Sequence, residues 1–217
     1  MRYRTVLFTG ILLSLFTVIG AALVAYTFEN TKARIAANER ASLLRNLHVL
    51  VPPDSHTNDL FRDVIEVQDP TLLGSRDPVQ VYRARRNGEP VALVMTPEAP
   101  DGYSGAIRLL VGIDPEGTLI GVRVLSHRET PGLGDAIEAE RSDWILDFDG
   151  RSLGNPPADQ WRVRRDGGVF DQFSGATVTP RAVVNAVRKS LIYFERHRDE
   201  LFEPLESDAE EEVEEHG

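Results

Sequence analysis

The chain has 217 residues, a formal charge of −10 and no cysteine, which suits one soluble domain and an apolar anchor. Without thiols there is no iron–sulfur ligation, zinc–thiolate site, catalytic cysteine or cysteinyl link to a cofactor. The charge is local: residues 203–217 hold Glu203, Glu206, Asp208, Glu210, Glu211, Glu212, Glu214 and Glu215 with no Lys or Arg, so the rest of the chain is nearly neutral and has no basic excess for nucleic acid.

Thr5 to Phe28 is a run of 24 residues without a charge. As a helix it reaches roughly 36 Å, enough to cross a hydrocarbon core of about 30 Å with some tilt. A cleaved signal peptide has a shorter apolar region and a small-x-small cleavage site. Leu23-Val24-Ala25 lacks the first small residue, so residues 1–28 are read as an uncleaved transmembrane anchor. Arg2 and Arg4 precede the span, whereas Lys32, Arg34, Arg40 and Arg45 follow it, and this count does not favour a cytoplasmic N-terminus.

Residues 29–76 read as a juxtamembrane helix and linker. Ile35, Leu43, Leu44 and Leu47 form the apolar side of the helix, and Val51-Pro52-Pro53-Asp54 ends it. The stretch beyond is expected to be irregular, with Asp-Pro breaks at 69–70 and 77–78.

Residues 77–200 read as the domain proper. Val79–Arg85 and Val91–Thr96 flank Asn87-Gly88 and predict a hairpin. Ile107, Leu109, Val111 and Ile113 alternate with Arg108, Leu110 and Gly112; Ile120, Val122 and Val124 alternate with Gly121 and Arg123. Asp114-Pro115-Glu116-Gly117 between them is a turn sequence, so two half-buried antiparallel strands are predicted. Trp144, Ile145 and Phe148 are assigned to the core. Val183, Val184, Val187, Leu191 and Phe194 recur at helical spacing and predict a helix over 180–196, with Thr179 as N-cap and Pro180 at the first helical position. The fold class is α+β: a transmembrane helix, then an antiparallel sheet packed with helices. Residues 201–217 read as a solvated, disordered tail, with an acidic docking peptide as the alternative.

Two segments carry candidate chemistry. Asp171-Gln172-Phe173-Ser174-Gly175-Ala176-Thr177 places a hydroxyl and small residues ahead of the last helix, whose free N–H groups and dipole favour a phosphate. On residue types alone, a phosphate-binding turn and a plain helix cap both stay open. His127-Arg128-Glu129-Thr130-Pro131-Gly132-Leu133-Gly134 is a turn after a strand, and Gly102-Tyr103-Ser104-Gly105 offers Tyr103 as a stacking side chain. The five histidines, at 48, 56, 127, 197 and 216, show no paired ligand spacing, so no metal site is expected. There is no Gly-x-Gly-x-x-Gly and no Walker lysine, and no residue is assigned as catalytic.

Asp-x-x-Ser-Gly-Ala-Thr, met at Asp171, Ser174, Gly175, Ala176 and Thr177, resembles the flavinylation motif of proteins that carry FMN esterified to the last threonine. The 127–134 segment resembles the second signature of that FMN-binding domain family, in the same order along the chain. With its short anchor, the chain is similar to the G subunit of the Rnf (Rsx) ion-translocating electron-transport complex. The C subunit of the sodium-translocating NADH:quinone reductase is the longer relative and the alternative; a non-redox, membrane-anchored interaction module is a second. The resemblance implies a covalent FMN on Thr177, placed there by a separate flavin transferase from FAD and magnesium. It also implies contacts to the flavin ring from Glu129, Thr130 and Leu133, and recognition of Asp171 by the transferase, for which a turn-forming aspartate is the plain alternative. A poor nucleophile such as a threonine hydroxyl needs that help. The implied protein is an electron carrier with no reaction of its own, held among other Rnf subunits in the bacterial inner membrane with its large domain in the periplasm.

Overall fold

The computed structural model describes residues 2–203 and divides the chain into two units, residues 1–45 and 46–217. Helix α1 spans Arg2–Leu50. Its segment Val6–Lys32 is the one helix among the described residues long and apolar enough to cross a membrane, and Ile11, Phe16 and Val24 on it are exposed. Acidic residues beyond 203, read above as a disordered tail, lie outside the described residues.

The second unit is built on an antiparallel sheet. Its strands are β1 (Val64–Val67), β2 (Val79–Arg86), β3 (Glu89–Met95), β4 (Glu98–Ala99), β5 (Ile107–Ile113) and β6 (Leu119–Ser126). The spatial order is β1-β2-β3-β5-β4, with β6 on the other side of β5. β3 and β4 share one edge of β5: β3 pairs at Val111–Ile113 and β4 at Ile107 and Arg108. The predicted hairpin is β2–β3, and Asn87 and Gly88 take φ values of 53° and 86°, the left-handed pair that a two-residue type I′ turn requires. β1 was expected to be irregular chain. Val64-Ile65-Glu66-Val67 instead adds to the free edge of β2, with Ile65 opposite Val81.

Both faces of the sheet are covered, so β5 is buried at every position but Arg108. One face takes the end of α1: a Cβ at Gly121 would sit 2.9 Å from Leu50 Cδ2, so glycine gives that helix end room here. The other face carries the main core, where helix α2 (Val178–Phe202) packs on β4 and β5 through Val183, Val184, Val187 and Leu191. An aromatic layer completes it: Phe148 stacks on Phe170 at 4.7 Å between centroids, and Trp144 meets Phe148 edge-on at 5.5 Å. Trp144, Ile145 and Phe148 are core residues, as read from their apolarity.

α2 departs from expectation at both ends. It begins at Val178, two residues early, and helical dihedrals break at His197 (φ −120°) before the helix resumes to Phe202. Its C-terminus is held by a buried network. Arg83, 2% exposed, pairs with Asp63 and donates to the carbonyl of Glu203. Arg85 donates to Asp63 Oδ2 at 3.0 Å and to the carbonyl of Phe202 at 2.8 Å. Two guanidiniums thus share one carboxylate and the helix-end carbonyls, where the dipole favours cations. Removing one member of a buried pair leaves an uncompensated charge. Asp63→Ala is expected to cost about 3–5 kcal/mol in denaturant unfolding of the detergent-solubilised chain. Arg62→Ala, which loses only an exposed 3.9 Å contact to Asp59, is expected to cost less than about 1 kcal/mol.

Candidate functional site

Three segments converge at the start of α2. The first is the chain entering it. Phe173–Ala176 is a β-turn closed by the Ala176 N–H on the Phe173 carbonyl at 3.2 Å, with Gly175 at φ 81°, the conformation position three of a type II turn demands. The turn delivers Thr177 to the N-cap position, half-buried, with no capping bond from its hydroxyl. The indole N–H of Trp144 holds the segment from the core side, donating to the Asp171 carbonyl at 2.8 Å.

The second segment follows β6. Thr130 accepts from the N–H groups of Leu133 and Gly134, each at 3.1 Å, to form a tight loop that leaves Leu133 partly exposed. The third is the 102–105 loop, where Tyr103 is largely exposed. Together they line a cavity of about 350 Å³ with Tyr103, Glu129, Thr130, Leu133, Gly134, Gly175, Ala176, Thr177, Val178 and Thr179 on its walls.

Glu129 binds the three together. It is 4% exposed; Oε1 accepts the Ser104 N–H at 2.9 Å and Oε2 accepts the hydroxyl of Thr179. Gly134 makes room for it: a Cβ there would lie 2.8 Å from Oε2, whereas one at Gly102 would meet the Gly105 carbonyl at 2.3 Å before reaching Oε1 at 3.1 Å. This corrects the reading of Thr179 as the N-cap. Its side chain is fully buried inside the first turn and is bonded to a carboxylate fifty positions away in the sequence.

Of the residues predicted for the site, Glu129, Thr130, Leu133, Gly175, Ala176 and Thr177 come together on the cavity, as does Tyr103. Asp171 and Ser174 are exposed and lie off its walls. Asp171 pairs with Arg164 at 3.0 Å. His127 does not line the cavity either: Nδ1 accepts the Glu129 N–H at 3.0 Å and Nε2 meets Glu138 at 2.9 Å, so the ring props the loop. Sequence reasoning missed Val178 and the bond Thr179 makes, and in the 102–105 loop it singled out Tyr103 and not the N–H of Ser104; an apolar Val178 and a buried hydroxyl carry no motif signal.

The cavity has the size and lining of a small-ligand site. It falls in the range of small-ligand sites, about 300–1,000 Å³, with Leu133 and Val178 as apolar walls, Tyr103 as an aromatic rim and a helix N-terminus for phosphate.

Residues 102–192 match the family described as the FMN-binding domain, and residues 1–50 match the RnfG N-terminal region. The chain is 49% identical over 204 residues to the G subunit of the ion-translocating oxidoreductase complex of Pseudomonas aeruginosa strain UCBPP-PA14, covering 94% of this chain and 95% of that protein. The chain belongs to the G-subunit family of ion-translocating oxidoreductase complexes. Members from Shewanella amazonensis and Shewanella piezotolerans are 46% and 43% identical, over 92% and 91% of this chain and 93% of each relative. In this family member the FMN-binding match takes in every residue on the cavity wall.

Beside the site, Arg181 in the first turn of α2 grips Asp166 with two bonds of 2.6 and 3.0 Å. That hydrogen-bonded guanidinium holds the Asp166 carboxyl below its ordinary value of 3.8. A lowered carboxylate stabilises the fold fully above the ordinary value and loses that contribution as pH falls through the lowered one. The midpoint of the Asp166 chemical shift in a pH titration is therefore expected to lie below that ordinary value and to return towards it in Arg181→Ala. Packing around Glu129 gives a second expectation. Gly134→Ala should cost about 1–3 kcal/mol by overpacking. Gly175→Ala, whose Cβ would meet only Leu133 at 3.8 Å, should cost about 1 kcal/mol through its positive φ alone.

Proposed function

We propose that this chain is the electron-carrier subunit of an Rnf-type complex and holds FMN through a phosphoester to Thr177. One observation carries the reading. Thr177 presents a hydroxyl with no capping bond, on the wall of a cavity of about 350 Å³ and at the N-terminus of a long helix. Free N–H groups and the dipole of α2 would steady the phosphate; Leu133, Val178 and Tyr103 would flank the isoalloxazine, and Glu129 and Thr130 would supply polar contacts.

The flavin supplies reversible electron acceptance; the chain attaches it, orients it and keeps water from one side. Attachment needs a partner, since an unactivated hydroxyl is a weak nucleophile. A flavin transferase with FAD and magnesium would serve: Thr177 Oγ attacks the phosphorus on the FMN side, the P–O–P bond breaks, AMP leaves, and the hydroxyl proton passes to a base on the transferase. Exposed Ser174 and Gly175 keep the approach to Thr177 open, and Asp171, exposed and paired with Arg164, is the group offered to that enzyme. The names of the relatives support assembly with other subunits of an ion-translocating complex, to which the carrier would pass electrons. The apolar span of α1 supports a single-pass membrane anchor; the inner membrane and a periplasmic domain are what the family resemblance implies.

Replacement of Thr177 by valine keeps the branched shape and the helix. Made in cells containing the transferase, the wild-type band is expected to fluoresce yellow-green after denaturation, and the Thr177→Val band to stay dark at equal abundance. A fluorescent variant would move the attachment elsewhere. Protease added to spheroplasts is expected to digest the chain beyond about residue 30, the end of a membrane span of this length; protection until the inner membrane is opened would reverse the orientation.

A further inference from the structure

We infer that the carboxylate of Glu129 is the fixed charge that sets the reduction potential of the flavin and holds it low. The inference rests on the flavin reading of the cavity and adds a function for the buried acid on its wall.

Three acids are buried among the described residues: Asp63, Glu129 and Asp135. Asp63 is shared by Arg83 and Arg85, and Asp135 lies 3.7 Å from the Arg141 guanidinium. Glu129 has no Lys, Arg or His ion pair among the described residues; its neighbours are one backbone N–H and one hydroxyl, both donating. Both oxygens act as acceptors, the arrangement that suits an ionised carboxylate. Of the cationic groups nearest in sequence, Arg128 is exposed and forms no ion pair with Glu129 among the described residues, and His127 is engaged with Glu138.

A buried charge without a counter-charge is costly to the fold, and packing does not require it. Glutamine has the same shape and can meet both partners, with its carbonyl accepting from Ser104 and its amide donating to the Thr179 oxygen. What the carboxylate adds is negative charge on the wall of a partly enclosed site, where Coulomb interactions are stronger than in water. An electron arriving on a ring in that cavity meets this charge, so reduction becomes less favourable. The two donors offset part of the field, which gives Thr179 a definite sign as well.

Purified full-length chain in detergent, loaded by the transferase, tests this by spectroelectrochemical titration, with the intact mass recording FMN content for each variant. Glu129→Gln is expected to shift the midpoint to more positive potential, and Thr179→Val, which bares the carboxylate, to more negative potential. Opposite signs distinguish a field from loosened packing, which moves both the same way. Where a variant escapes loading, its relative affinity for reduced over oxidised riboflavin reads the same quantity and should rise for Glu129→Gln. Unchanged potentials, or shifts of one sign in both variants, overturn the inference while a loaded wild type leaves the flavin reading intact. A wild type that neither carries nor binds flavin overturns both.

Discussion

The bond between the Glu129 carboxylate and the Thr179 hydroxyl is the contact on which the cavity depends. Glu129 belongs to the loop after β6, Thr179 to the first turn of α2, and the other carboxylate oxygen takes the N–H of Ser104 from the 102–105 loop. Surface loops are ordinarily the mobile parts of a domain. One buried carboxylate joins them at a fixed spacing. Gly134 is small because Glu129 occupies the space a side chain would need, and Gly102 because the Gly105 carbonyl does.

The rest of the unit can be read as support for that spacing. α2 must arrive with its N-terminus at the cavity, and it is fixed at both ends: by Glu129 at the start and by Arg83 and Arg85 on the carbonyls of Phe202 and Glu203 at the finish. Between them its apolar face is buried on the sheet. Trp144 then ties the segment before the helix to the aromatic layer through the Asp171 carbonyl. A phosphate attached at Thr177 would therefore sit on a rigid element, while its approach from solvent stays open.

Much of this was legible in the sequence, for local reasons. Asn87-Gly88 dictates a hairpin turn whatever surrounds it, and the valines of α2 repeat at 3.6 because one face is buried. The signatures at 127–134 and 171–177 are separated in the chain, yet Glu129, Thr130 and Leu133 meet Gly175, Ala176 and Thr177 on one cavity. What escaped was non-local. Thr179 looks like an N-cap because threonine before proline usually is one; a carboxylate fifty residues away recruits its hydroxyl instead. Arg83 reads as a polar position of a strand, and only its meeting with Asp63 and the end of α2 makes burial tolerable. β1 is four residues between turn sequences, too short for a period to declare itself, and the edge of β2 is what extends it.

The central claim is a covalent bond at one atom, and peptide mapping tests it most directly. Trypsin cuts after Arg165 and after Arg181, so the peptide Asp166–Arg181 carries Ser174, Thr177 and Thr179 together. Fragmentation of that peptide from chain made with the transferase is expected to place the mass of one FMN phosphoester on Thr177, with Ser174 and Thr179 unmodified. The added mass on either neighbour, or an unmodified peptide from fully loaded cells, would contradict the account.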